Sequence, residues 1–174
     1  QDILYLGSNK LHRSMDQGDA WTTISEDLTT GGKKGNVAYG TLTTLSESPF
    51  RFGLLYTGSD DGLVYITQDA GGSWKRISDS FPATLWVSRV AASGHKESRV
   101  YVALNGYRWD DFNPYLYVSE DYGQTWKSIS KGIPASPVNV VLEDPANENL
   151  LFAGTDNGLY VSLDRGANWQ LMYS

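Results

Sequence analysis

An eight-residue pattern that occurs four times limits the possible folds of this chain more than any other feature. It consists of a hydroxyl residue, any residue, Asp, any residue, Gly, two further residues and Trp. An Asp side chain accepts hydrogen bonds from nearby backbone N–H groups, and Gly adopts the positive φ of a tight turn. Each copy therefore predicts a structural turn between two strands, with a Trp that needs a buried neighbour and an acceptor for its indole N–H. The defining residues are Ser14, Asp16, Gly18 and Trp21; Thr67, Asp69, Gly71 and Trp74; Ser119, Asp121, Gly123 and Trp126; and Ser162, Asp164, Gly166 and Trp169.

The spacing of the copies predicts four similar units. The tryptophans at 21, 74, 126 and 169 are 53, 52 and 43 residues apart. Periods of about 40 to 50 residues with several short strands are typical of β-propeller blades. Alternating apolar and polar residues predict an inner strand, a second strand, a third that leads into the pattern and a fourth that starts at the Trp. Residues 1–28 lack the inner strand, so we expect an all-β propeller segment with three complete four-stranded antiparallel blades and one incomplete blade.

The incomplete unit bears on how the chain assembles. We expect residues 1–174 to form a single propeller segment, with blade boundaries near 1–28, 37–80, 86–131 and 137–174. A blade buries its faces only against other blades, and a ring usually contains about four to eight of them. The chain is a segment of a larger ring, an imperfect four-bladed ring, or one half of a pair of copies. We favour a segment of a larger propeller, which predicts that the isolated chain associates or exposes apolar surface.

Composition excludes several classes of function. With 40% hydrophobic and 13% aromatic residues among 174, the chain is globular rather than disordered. The net charge of -6 argues against nucleic acid or an anionic membrane surface as the main partner. The chain has no Cys for a disulfide or a zinc–thiolate site, and no apolar run reaches the roughly 20 residues of a membrane span. Neither His belongs to a Ser or Cys nucleophile pattern, and we expect no metal and no cofactor.

One connection between strands stands out as a candidate binding site. The second and third strands are joined by minimal hairpins at 59–62 and 155–158, but in the third blade by residues 105–114. Long loops on rigid scaffolds concentrate functional residues, and aromatic faces beside hydrogen-bonding groups suit sugars or peptides. The alternative is that the aromatic residues only pin the loop onto the next blade. The predicted ligand-binding residues in this connection are Tyr107, Arg108, Trp109, Asp110 and Asp111.

Two residues that lead into the inner strand of the third blade extend the candidate site. Trp86 and Arg89 are expected near the central mouth of the propeller, on the same face as the long connection. Tyr39 and Asn139 hold matching entry positions in the neighbouring blades. Together these residues predict a polar and aromatic cleft.

The four patterns resemble the Asp box, or BNR repeat, of a β-propeller family. That family includes sialidases, sortilin receptors, certain xyloglucanases and exported bacterial proteins that are labelled glycosyl hydrolases by similarity. The resemblance covers nearly the whole chain and implies that the box is a structural turn on the outer rim of a blade. It also implies that ligands bind on the opposite face, and that the parent protein is exported to the periplasm, cell surface or medium.

Catalysis within this chain has weaker support than binding. A glycoside hydrolase needs two carboxylates on either side of the scissile bond. Asp110 and Asp111 are neighbours, and neighbours on an extended chain point in opposite directions. The Phe-Arg-Ile-Pro motif of sialidases is absent. We therefore expect a noncatalytic module that binds polypeptide or glycan beside the remaining blades of a parent chain or a second copy. The alternative is a sialidase-like or xyloglucanase-like glycoside hydrolase whose catalytic residues lie partly outside this segment.

Overall fold

The computed structural model describes residues 3–31 and 40–173, which form four antiparallel sheets and one short 3₁₀ helix. Tyr39 and the other residues from 32 to 38 lie outside the described residues. The first sheet contains β1 (Leu4–Gly7), β2 (Leu11–Ser14) and β3 (Thr22–Thr23). The second contains β4 (Leu42–Glu47), β5 (Leu55–Ser59), β6 (Val64–Thr67) and β7 (Lys75–Arg76). The third contains β8 (Trp86–Ala92), β9 (Val100–Gly106), β10 (Asp111–Ser119) and β11 (Lys127–Ser128), with the 3₁₀ helix Tyr107–Trp109 between β9 and β10. The fourth contains β12 (Val138–Glu143), β13 (Leu151–Thr155), β14 (Gly158–Ser162) and β15 (Gln170–Tyr173).

Every sheet is a meander, in which strands that follow one another in the chain are hydrogen-bonded neighbours. In the first sheet, β1 pairs with β2 as β5 pairs with β6, so Leu4 faces Ser14 as Leu55 faces Thr67. Strand β1 is therefore the counterpart of a second strand. This confirms the prediction of three complete four-stranded blades and one that lacks its inner strand.

A β-bulge at the same place in each inner strand positions side chains between the sheets. The register shifts around Thr43 in β4, Ser88 in β8 and Asn139 in β12. Thr43 donates its hydroxyl to the Val87 carbonyl at 2.7 Å, and Ser88 donates to the Val138 carbonyl at 2.7 Å. Bulges re-aim a side chain out of the regular alternation, and here they link each inner strand to the next.

The core lies in the spaces between successive sheets rather than in one centre. One buried cluster fills the space between the second and third sheets and includes Tyr56 and Leu104. A second cluster, between the third and fourth sheets, includes Tyr101 and Leu116. Since each sheet is covered by its neighbours in the chain, the arrangement matches the stacked blades that the repeats predict.

The box turns have the geometry that their sequence predicts. The Ser119 hydroxyl donates to Asp121 Oδ1 at 2.7 Å and accepts the Gly123 N–H at 2.8 Å. Asp121 Oδ1 also accepts the Thr125 N–H at 2.8 Å. Gly123 has a φ of 81°, and Tyr122 before it has a φ of 61°. Equivalent hydroxyl–Asp bonds of 2.7–2.8 Å occur in the other three boxes.

Three of the four box tryptophans join adjacent sheets. Trp74 donates its indole N–H to the Ile24 carbonyl at 2.8 Å, and Trp126 donates to the Ile77 carbonyl at 2.8 Å. Trp169 repeats this bond to the Ile129 carbonyl at 2.6 Å. Trp21 differs, because it belongs to the first sheet and its side chain is 43% exposed. The expected contact with an adjacent sheet is therefore present for three boxes, and within residues 3–31 and 40–173 no such bond is found at Trp21.

Candidate functional site

The long connection of the third blade is an extended hairpin rather than the loop expected from the sequence. Strands β9 and β10 extend to Gly106 and from Asp111, and only the 3₁₀ helix and Asp110 lie between them. Asp110 adopts a left-handed conformation with a φ of 55°, and its N–H bonds the Tyr107 carbonyl at 3.2 Å. The hairpin and the box turn lie at opposite ends of β10. The structure thus separates the candidate site from the box, as the resemblance implies.

Three of the predicted residues line one open cavity of about 400 Å³ at this end of the third blade: Trp86, Tyr107 and Arg108. The Arg108 guanidinium lies over the Trp86 ring, 5.0 Å from its centroid, which is within the range of a cation–π interaction. This contact holds the guanidinium against the wall of the cavity.

The other wall of the cavity is a chain of polar side chains from two blades. Asn105 donates its amide to Asn139 Oδ1 at 2.7 Å, and Asn139 donates to Asp156 Oδ1 at 2.6 Å. Asn105 Oδ1 in turn accepts the Tyr107 N–H at 2.8 Å. Asn105 and Asp156 were not among the site residues predicted from the sequence. Asp156 lies in a short turn motif, which by itself does not indicate a binding site. The position of Asn139 was the available signal.

Two exposed aromatic residues flank Arg108 in the 3₁₀ helix: Tyr107, which lines the cavity, and Trp109, which does not. Tyr107 and Trp109 are each 60% exposed. The Trp109 indole N–H bonds the Thr84 carbonyl at 3.0 Å, and Tyr107 packs edge-on against Phe112 with ring centroids 5.9 Å apart. These contacts fix the rings within the third blade and the segment before it, and leave ring surface open to solvent. The hydrogen bond of Trp109 and the ring contact of Tyr107 are thus made to the segment before the third blade and within that blade.

The carboxylates of the hairpin have different surroundings. Asp111 accepts the Tyr115 hydroxyl at 2.7 Å and the Asn113 side-chain amide at 2.7 Å. The bond from Tyr115, followed by that from the Asn113 backbone, lowers the pKa of Asp111 below its ordinary value. Asp111 is thus ionised and engaged within its own strand. Trp109, Asp110, Asp111 and the exposed Arg89 on β8 are not among the residues that line the cavity. A role in ligand binding remains a prediction for all seven residues.

Two further features of the described residues concern metal binding and membrane insertion. Within 3–31 and 40–173, no group of three or more His, Asp or Glu side chains is arranged to hold a metal ion. The same ranges contain no helix long and apolar enough to cross a membrane.

Comparison with known proteins identifies the repeat. Residues 116–129, the third copy, match the model of the BNR-Asp box repeat family. The chain carries Asp-box repeats. An oligoxyloglucan-reducing end-specific xyloglucanase of Emericella nidulans is 28% identical over 127 residues, covering 66% of the chain and 15% of that enzyme. A xyloglucanase of a Paenibacillus species is 27% identical over 146 residues, covering 70% of the chain and 14% of that enzyme.

A solved structure has the same architecture. A GH74 enzyme of Niastella koreensis matches 99% of this chain and 28% of its own with a TM-score of 0.75, at 20% identity. This likeness confirms the propeller fold predicted from the Asp boxes. The chain spans about one seventh of the length of the curated relatives it matches. The chain is thus an all-β propeller segment whose sequence is similar to these enzymes over a small part of their length.

Proposed function

We propose that this chain forms one wall of a polysaccharide-binding site and supplies binding groups rather than the reacting carboxylates. The observation that carries the proposal is the pair of exposed rings, Tyr107 and Trp109, fixed beside a polar cavity. Exposed apolar surface with polar groups around it marks an interaction site. Because the Trp109 edge is held by the Thr84 carbonyl, the ring loses little conformational freedom when a ligand covers it.

The chemistry of the cavity suits a sugar chain. A sugar ring presents C–H groups on its faces and hydroxyl groups at its edge. The exposed rings of Tyr107 and Trp109 offer flat apolar surface for the faces, while Asn105, Asn139 and Arg108 offer amide and guanidinium groups for the hydroxyls. The xyloglucanase relatives support a glycan rather than a polypeptide, and xyloglucan is the first glycan to test. A polymer of this kind lies outside cells, so we propose that the parent protein is exported.

The noncatalytic role rests on how the nearby carboxylates are used. Asp111 is held by Tyr115 and Asn113, and Asp156 accepts the Asn139 amide. Glycoside hydrolysis needs two carboxyl groups that face the same bond, one of them protonated. The second candidate is a hydrolase that combines a carboxylate of this chain with one from elsewhere in the parent protein. Similarity to proteins named xyloglucanases favours the hydrolase, and an activity assay distinguishes the hydrolase from the noncatalytic binding module.

The first experiment compares binding of a xyloglucan oligosaccharide to the chain and to two variants by isothermal titration calorimetry. We expect Trp109→Ala to weaken binding about tenfold, which corresponds to about 1.4 kcal/mol, because it removes an exposed stacking surface. Phe50→Ala is the matched control, since Phe50 is also an exposed aromatic residue, 49% accessible, but follows β4 at the opposite end of its sheet.

The outcomes are distinct. Equal affinities of wild type and Trp109→Ala, or a loss in Phe50→Ala instead, would show that the ligand binds elsewhere. Thermal melting of both variants checks that the fold is retained. Release of reducing sugar is measured in parallel. If the chain releases sugar and Asp156→Asn abolishes the release, the hydrolase hypothesis is supported and the noncatalytic binding hypothesis is rejected.

A further inference from the structure

The polar wall of the cavity is a chain of hydrogen bonds whose direction is fixed at both ends. We call Asn105, Asn139 and Asp156 the amide relay. At one end the Tyr107 backbone N–H, which can only donate, bonds Asn105 Oδ1 at 2.8 Å. At the other end Asp156 Oδ1 accepts the Asn139 amide at 2.6 Å, and an ionised carboxylate can only accept. The middle bond, of 2.7 Å, therefore runs from Asn105 Nδ2 to Asn139 Oδ1.

This direction determines which groups of the cavity are left for a ligand. Each Asn oxygen of the relay already accepts one N–H of the protein, whereas each amide nitrogen carries two N–H groups and uses one of them. Arg108, on the same cavity, adds a guanidinium that has only N–H donors. Within residues 3–31 and 40–173 this guanidinium contacts the Trp86 ring and has no hydrogen bond or ion pair. Three side chains of the cavity thus keep N–H donors for a ligand.

The carboxylate of Asp156 is used differently from that of its counterpart in the second blade. Asp60 follows β5 as Asp156 follows β13, and both donate their backbone N–H to the residue two positions before the bulge: to the Thr41 carbonyl at 2.9 Å and to the Pro137 carbonyl at 3.3 Å. Asp60 Oδ1 in turn accepts the Thr41 N–H at 2.9 Å. Pro137 has no N–H to donate. The Asp156 carboxylate is therefore not engaged in this turn contact and bonds the Asn139 side chain instead.

We propose that Asp156 is a positioning residue of the sugar site, which holds Asn139, and through it Asn105, so that both amides present N–H groups to oxygen atoms of the ligand. The inference rests on the proposed function, and it names the chemistry that this wall recognises: hydroxyl and glycosidic oxygens that accept hydrogen bonds. Asp156 acts by accepting a bond from Asn139, not by its charge and not by proton transfer. An amide at position 156 also has an oxygen that accepts, so it is expected to preserve the relay.

Two substitutions of Asp156 separate these roles, with binding of a xyloglucan oligosaccharide measured by isothermal titration calorimetry. Asp156→Asn removes the charge and keeps an acceptor, and its affinity is expected to stay within about twofold of the wild type. Asp156→Leu has a similar size and no acceptor, so the Asn139 amide loses its orientation and affinity is expected to fall about tenfold. Asp60→Leu makes the same change in the equivalent turn of the second blade, and it is expected to leave affinity unchanged.

A variant at the centre of the relay gives an independent measurement. Asn139→Asp replaces the N–H groups by an oxygen, and it is expected to weaken binding about tenfold, as Asp156→Leu does. Heteronuclear NMR adds a direct readout of the donor role. The side-chain N–H resonances of Asn139, assigned by their loss in Asn139→Asp, are expected to shift when the sugar binds to the wild type or to Asp156→Asn. Thermal melting checks that each variant is folded.

The contrary outcomes distinguish this inference from the proposed function. A wild-type chain that binds no sugar would overturn both. Binding that depends on Trp109 but is equally strong in Asp156→Leu or in Asn139→Asp would overturn the positioning role alone. Equal losses in Asp156→Asn and Asp156→Leu would also overturn it, because the charge of Asp156 rather than its acceptor would then be required. Unchanged Asn139 side-chain resonances in the saturated wild-type complex would contradict the donor role.

Discussion

Replacement of Trp126 by Phe tests whether the box tryptophans stabilise the fold by joining sheets. The change removes the indole N–H that donates to the Ile77 carbonyl at 2.8 Å, but keeps an aromatic ring near Phe81, whose centroid lies 4.9 Å from that of Trp126. An unpaired acceptor beside the buried Ile77 costs about 1–3 kcal/mol. The smaller ring loses further buried surface, at about 0.8 kcal/mol for each methylene-sized group. We expect the free energy of unfolding to fall by about 2–4 kcal/mol.

The matched control is Trp21→Phe, because Trp21 has the same position in its box but is 43% exposed. Urea unfolding is followed by fluorescence and by circular dichroism, which report a common transition if unfolding is two-state. Trp21→Phe is expected to alter stability by no more than about 0.5 kcal/mol. Equal losses at the two positions would refute the role of the Trp–carbonyl bond between sheets.

Two further predictions concern buried hydroxyls and the box carboxylate. Tyr101→Phe is expected to destabilise the fold by about 1–3 kcal/mol in urea unfolding, because it removes a 2.8 Å bond to Glu143. Tyr56→Phe is expected to cost nothing, since the Tyr56 hydroxyl is buried without a hydrogen-bond partner among the described residues; a loss equal to that at Tyr101 would contradict this. Hydrogen bonds from the Ser73 and Thr67 hydroxyls and the Ser73 N–H lower the pKa of Asp69 to about 2. Its contribution to stability is therefore complete above the ordinary pKa of 3.8 and is lost as the pH falls towards 2; an NMR titration midpoint at or above 3.8 would contradict this.

The blades could be predicted from the sequence because the residues that specify each turn are close together in the chain. In each box the hydroxyl, the Asp and the Gly lie within five residues, so the turn and the strands beside it are predictable from residue chemistry alone. The missing inner strand of the first blade was predictable by comparison with the other three copies. The exposure of Trp21 was not, because a box Trp is covered by contact with another sheet, which the box residues do not specify.

The candidate site was predictable only in part. The aromatic residues from 107 to 109 were recognisable because their connection is longer than its counterparts. The wall formed by Asn105, Asn139 and Asp156 depends on a β-bulge and on contacts between two blades, which single-strand patterns do not contain. The extension of β9 and β10 into a hairpin likewise depends on cross-strand pairing, for which residues 105–114 have no distinctive alternation.

The proposed function requires that the ligand binds at the end of the third blade opposite the box turns. Hydrogen–deuterium exchange of the chain, with and without a xyloglucan oligosaccharide, tests it without any substitution. We expect slower exchange of backbone amides in peptides that contain residues 84–89, 105–112 and 155–158, and unchanged exchange around the four boxes. Protection confined to the box turns at 119–126 and 162–169 would contradict it.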